Sequence, residues 1–90
     1  MVKQKTNQKK KEKEQALPPN ELILHNDDFN TFDFVIESLI VVCGHEPEQA
    51  EQCAIITHLH GKCLIKTGSL DLLKTLHAEL TNRKLTTTIE

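Results

Sequence analysis

The sequence predicts an α+β fold: a three-stranded antiparallel sheet with three helices packed on one face, in the order β-α-α-β-α-β. Two observations predict it. Short runs rich in apolar or β-branched residues alternate with longer stretches whose apolar residues recur every three to four positions. Glycine, proline and capping residues fall at the joints between them. Strands mixed with helices in so short a chain are best buried as one layer of helices on one sheet.

The elements follow in order. Glu21–His25 is expected as the first strand, apolar in its middle and preceded by Pro18-Pro19-Asn20. Thr31–Cys43 is expected as a helix, because Phe32, Val35, Ile36, Leu39, Ile40 and Cys43 keep the three-four spacing. Asn30 or Thr31 can cap it, Asp33 complements its positive end, and Gly44 ends it. A second helix is expected from Pro47, which suits a first helical turn, to a stop at Gly61. Ala50, Cys53, Ala54 and Thr57 share one of its faces, with Ile56 beside them, and their small size permits close approach to another element. Lys62–Thr67 alternates Cys63 and Ile65 against Lys62, Leu64 and Lys66, as a strand does. A third helix runs from the cap Ser69 to about Arg83, with Leu72, Leu73, Leu76 and Leu80 as its core stripe. Leu85–Ile89, rich in β-branched residues, is the last strand.

Charge divides the chain. Residues 1–20 hold six lysines against two glutamates and almost no large apolar residue before Leu17, so they read as a disordered extension. Residues 21–90 are the folded domain, with eleven acidic against five basic residues. A basic tail can touch nucleic acid or a membrane surface, or act as a solvated tether. The tail's lack of aromatics for stacking, and the acidic domain beside it, favour the tether over nucleic acid. Cys43, Cys53 and Cys63 form no C-x-x-C pair, so reduced cytoplasmic thiols are expected rather than structural zinc. No apolar h-region follows the lysines, and no apolar run has membrane-spanning length.

Few residues offer chemistry. The three glycines are isolated, so there is no phosphate loop. Ser38 and Ser69 lie within or at the cap of helices, without the strained elbow of a nucleophile. Cys53 and His58 are five residues apart on one helix and do not share a face. His58, His60 and Cys63 match no common zinc spacing. No enzyme activity, metal or cofactor is expected. What remains is Asn26-Asp27-Asp28-Phe29, two carboxylates and an amide at a strand-to-helix corner. This acceptor-rich corner suits a small cation, a protonated amine above all. Asn and Asp are also the commonest turn and cap residues, and the two readings are compatible. His58 falls in the last turn of the second helix, where a histidine can also complement the helix dipole.

Asn26-Asp27-Asp28-Phe29, followed downstream by His58, Gly61 and Lys62, resembles the ClpS family, small adaptors of bacterial ATP-dependent Clp proteases. Its hallmarks are N-D-D-[YF] after a first strand and a His-x-x-Gly-Lys string ending a second helix. Ala50-x-Gln52 and Leu85-x-x-Thr88-x-Glu90 also fit, over about residues 21–90. The resemblance implies a binding module that recognises proteins with an N-terminal Leu, Phe, Tyr or Trp and hands them to a AAA+ Clp unfoldase, ClpA- or ClpC-like. Asn26, Asp28 and His58 would accept from the ammonium, and Asp27 would add negative potential or shape the corner. Phe32, Val35, Ala54, Thr57 and Leu85 would line the side-chain cavity, with Asn30 near its mouth. Phe32 and Ala54 stand where the family commonly has Met. The stretch Ile65–Ser69 is shorter than in many relatives and lacks their unfoldase-docking motif. The lysine-rich tail would engage the unfoldase.

Two other classes of function bear on the same residues. The element order also resembles the globular domain of the ribosomal stalk protein, which would make this a ribosome- or RNA-associated module using its basic tail. A small hydrolase using Asp27, Asp28 and His58 would need a substrate cleft and oxyanion donors that the sequence does not supply.

Overall fold

The computed structural model describes residues 19–90. The extension expected over residues 1–20 therefore lies, up to residue 18, outside the described residues. The elements are β1 (Asn20–His25), α1 (Phe32–Cys43), α2 (Pro47–His60), β2 (Lys62–Gly68), α3 (Leu70–Asn82) and β3 (Thr86–Ile89), in the expected β-α-α-β-α-β order. Their ends fall within a residue or so of those read from the sequence.

β1 is the central strand, antiparallel to β2 on one side and to β3 on the other. Leu22 and Leu24 point from it into the core and are 0% and 1% exposed. Cys63 and Ile65 of β2 and Leu85 before β3 join them, and Leu39, Ala50, Cys53, Leu73, Leu76 and Leu80 close the core from the three helices. Ile23 faces the opposite side between Leu64 and Thr88, yet is also buried. A central strand buried on both faces fixes register, since a one-residue slip would turn Leu22 and Leu24 out of the core. Backbone bonds of 2.8 Å in both directions between Glu21 and Glu90 fasten the far end of the β1–β3 pair.

The caps act where the sequence places them. Thr31, rather than Asn30, caps α1 by accepting from the Phe34 backbone N–H at 3.1 Å, and Ser69 caps α3 by accepting from Leu72 N–H at 3.2 Å. Gly44, at φ +72°, and Gly61, at φ +92°, end α1 and α2 in left-handed conformations that glycine adopts without penalty.

Two features differ from the sequence expectation or lie beyond it. Leu72, expected in the α3 stripe, is 42% exposed, while Leu73, Leu76 and Leu80 are buried. The three buried leucines already complete a helical stripe, and Leu72 sits a residue to its side. There it covers Gly68, where an added Cβ would stand 3.0 Å from Leu72 Cδ2. The register of β1 on β2 also shifts between Leu22 and Ile23, skipping Ile65. The Ile65 carbonyl accepts instead from buried His45 Nε2 at 2.8 Å, which anchors the α1–α2 connection to the sheet.

All three cysteines are unpaired and buried. Burial pushes the Cys43 thiol up to about 11. Burial, with a thiol–thiol hydrogen bond to Cys63, pushes Cys53 up to about 12. No described helix is long and apolar enough to cross a membrane.

Two outcomes follow for stability. Leu73→Ala should cost about 2–5 kcal/mol in denaturant unfolding, whereas Leu72→Ala should stay below about 1 kcal/mol. A thiol-specific chromogenic reagent near neutral pH should find no reactive cysteine in the native protein and all three after unfolding.

Candidate functional site

β1 delivers the chain into the corner 26–30, and the corner delivers it into α1. The Asp27 carboxylate organises this turn. Its Oδ1 accepts from the backbone N–H groups of Phe29 and Asn30, both at 2.8 Å, and its Oδ2 accepts from Asn30 Nδ2 at 3.0 Å. Partial burial pushes the Asp27 carboxyl up, but the Asn30 backbone and side-chain donors and the Phe29 N–H outweigh it, leaving its pKa below the usual carboxylate value. The Asn30 amide also donates to the Lys84 carbonyl at 2.8 Å, tying the corner to the α3–β3 turn. Both its partners are acceptors, which fixes the orientation of this amide. Lys84 holds φ +72°, the left-handed region unusual for a residue with a Cβ. From the other side, Asn26 N–H donates to the Gly61 carbonyl at 2.8 Å, fastening the corner to the end of α2.

These ties set the corner over a cavity of about 380 Å³ between β1, α1 and α2. Asn26, Asp27, Asp28 and His58 lie on its lining, and so do Asn30, Phe32, Val35, Ala54 and Thr57. Asn26, Asp28 and His58 are exposed, with acceptor atoms open to an incoming donor. Asp27 is occupied by the corner itself. Ala54 and Thr57 are 3% and 5% exposed, part of a packed wall, whereas Phe32 is 43% exposed at the first residue of α1. The Thr57 hydroxyl donates back to the Cys53 carbonyl at 2.8 Å, satisfied within its own helix. Leu85 is not brought to the cavity. It is 3% exposed and packed in the core, because the chain leaves the Lys84 turn inward before pairing as β3.

Sequence reasoning missed two lining residues, Leu24 and His25. Both precede the corner directly, and strand ends that feed a binding loop are natural floor residues. His25 Nε2 lies 2.8 Å from Thr88 Oγ1 across the sheet. Among the described residues no group of three His, Cys, Asp or Glu side chains is placed to hold a metal.

The family model described as ATP-dependent Clp protease adaptor protein ClpS matches residues 15–88. This chain belongs to the ClpS family. It is 34% identical over 74 residues to the ClpS adapter of Desulforapulum autotrophicum, covering 82% of this chain and 71% of that one. It is 34% identical over 73 residues to that of Vibrio atlanticus, covering 79% and 69%. Among solved structures, Agrobacterium tumefaciens ClpS2 bound to L-phenylalaninamide superposes with a TM-score of 0.76 at 22% identity, over 81% of this chain and 95% of that one. ClpS proteins are adaptors of the Clp protease. The three-stranded sheet and three helices of this chain are the ClpS fold.

The corner generates a prediction of its own. Asn30→Ala removes both side-chain donors and should lower stability by about 1–2 kcal/mol, with faster hydrogen exchange at the Phe29 and Asn30 amides. Asn30→Asp should be worse at neutral pH, since it sets a second carboxylate against Asp27. Because the folded-state pKa of Asp27 is depressed, its stabilisation is present above the unfolded-state value and lost as pH falls through the folded one. Asp27→Asn should therefore flatten the acid limb of a stability-versus-pH curve.

Proposed function

We propose that this ClpS-family chain is an N-degron adaptor. It binds the free α-amino group and the bulky apolar side chain of a protein's first residue, Leu, Phe, Tyr or Trp, and delivers that protein to a AAA+ Clp unfoldase in the cytoplasm. The observation that carries the reading is the meeting, around one cavity, of exposed acceptors from Asn26, Asp28 and His58 with the apolar side chains of Phe32, Val35 and Ala54. An α-ammonium has three donors and a charge, and it needs matched acceptors beside a place for its side chain. An internal peptide N–H offers neither charge nor three donors, so it would leave these acceptors unmatched. The L-phenylalaninamide bound by the Agrobacterium protein has the same two features, a free amine and an apolar side chain. In this reading Asn26 and Asp28 accept from the ammonium, a neutral His58 ring nitrogen accepts directly or through water, and Asp27 holds the corner. The lysine-rich extension would serve delivery, as a tether engaging a ClpA- or ClpC-like unfoldase.

Fluorescence anisotropy with a labelled Leu- or Phe-starting peptide and its N-acetylated twin tests this. The free amine should bind and the acetylated peptide should not; equal binding of the two would refute it. Asp28→Ala should weaken binding by on the order of 1–3 kcal/mol, five- to a hundredfold.

A further inference from the structure

Lys84 occupies a backbone position that suits glycine. At the end of α3, Lys84 N–H donates to the Thr81 carbonyl at 2.9 Å and Leu85 N–H donates to the Leu80 carbonyl at 3.0 Å. This pair of bonds closes a helix through one left-handed residue, and Lys84 is that residue, at φ +72°. At the ends of α1 and α2 the left-handed residue is a glycine, Gly44 and Gly61. A Cβ crowds the neighbouring carbonyl in this conformation, so lysine is held here under strain that glycine would not feel. Strained residues of this kind gather at ligand sites. The place of this one is specific: its carbonyl accepts from Asn30 Nδ2 at 2.8 Å, and Asn30 lines the cavity.

The side chain retained at this strained position is an exposed cation. Its neighbour Arg83 is engaged elsewhere, donating to Ser38 Oγ and lying over the Phe34 ring. Lys84 stands one hydrogen bond from the cavity wall, on a flexible four-carbon stem. The corner itself brings carboxylates to the cavity, Asp27 and Asp28, so Lys84 adds the opposite sign at one side of the mouth. A ligand whose amine and first side chain are both turned into the cavity has its next residue outside it. The second side chain is then the first to meet that cation.

Building on the amine-recognition reading above, we infer that Lys84 is a specificity-determining residue that favours an acidic second residue, Asp or Glu, in the bound chain. The contact is an exposed ion pair, so it biases the choice by a small factor and is screened by salt. The Lys84 backbone has a separate part, since its left-handed turn presents the carbonyl that holds Asn30. Glycine adopts that turn without strain. Side chain and backbone can therefore be separated at this one position.

The test is competition binding to the full chain at low ionic strength. Two Phe-starting peptides differ only in a second residue of Glu or Lys, and an N-acetylated form of the Glu peptide is the third competitor. Lys84→Gly should lower the Glu-over-Lys affinity ratio about two- to fivefold, while the protein stays folded because glycine keeps the left-handed turn. Lys84→Arg, which keeps the charge, should keep the ratio. Lys74→Ala removes an exposed lysine farther up α3 and should leave the ratio unchanged. A ratio that Lys84→Gly does not move overturns the inference. So does a fall of the same size in Lys74→Ala, which would be the net charge of the domain acting rather than a local contact. Equal competition by the acetylated and free Glu peptides overturns amine recognition itself, which separates that failure from a failure of the Lys84 contact.

Discussion

The three hydrogen bonds accepted by the Asp27 carboxylate are the interaction on which the rest of this molecule turns. They convert the end of a doubly buried central strand into the start of α1 within a few residues. With Asp27 so engaged, Asn26 and Asp28 on either side are left exposed. One carboxylate thus holds the corner while its neighbours remain open to a ligand. A turn and a cation site were compatible readings of Asn26-Asp27-Asp28-Phe29. The geometry separates the residues: Asp27 makes the turn, and Asn26 and Asp28 stay exposed beside it.

The corner is held from both flanks by long-range ties. Asn30 fastens it to the Lys84 carbonyl and Asn26 fastens it to the Gly61 carbonyl. The second tie sets Asn26 near the last turn of α2, where His58 resides. Behind them, His45 anchors the α1–α2 connection to the Ile65 carbonyl at the register shift of β2, steadying the two helices that form the cavity walls. Arg83, after α3, donates to Ser38 Oγ at 3.2 Å and lies 5.7 Å above the Phe34 ring, which fixes α1 from its other side. A corner supported by packed helices and backbone ties is held in one geometry, and preorganisation of that kind lowers the cost of binding wherever a loop takes a ligand.

Most of the fold was legible because local chemistry and the apolar pattern agree. Thr31, Ser69, Gly44 and Gly61 mark helix ends by their own hydrogen-bonding and backbone preferences, and Cys63 and Ile65 betray β2 by alternation. Leu72 falls outside the buried stripe because Leu73, Leu76 and Leu80 already complete it, and periodicity alone does not choose between neighbours at the edge of a stripe. The register shift at Ile65 was invisible, since nothing local distinguishes a skipped residue from a paired one. For the site, residue type and order pointed to the corner, to His58 and to most of the wall. The Asn30–Lys84 tie spans 54 residues and depends on a left-handed backbone at Lys84 that no local pattern announces. Leu85, expected in the wall, is packed in the core cluster instead.

The central claim is that a free amine and an apolar side chain are read at this corner and the cavity beneath it. Backbone amide chemical-shift mapping tests it most directly, with L-phenylalaninamide and its N-acetyl form titrated into the isotope-labelled protein. The account predicts saturable shifts confined to residues 24–32 and 54–58 for the free amine, and none for the acetylated form. Shifts centred elsewhere on the surface, or the same response to both compounds, would contradict it.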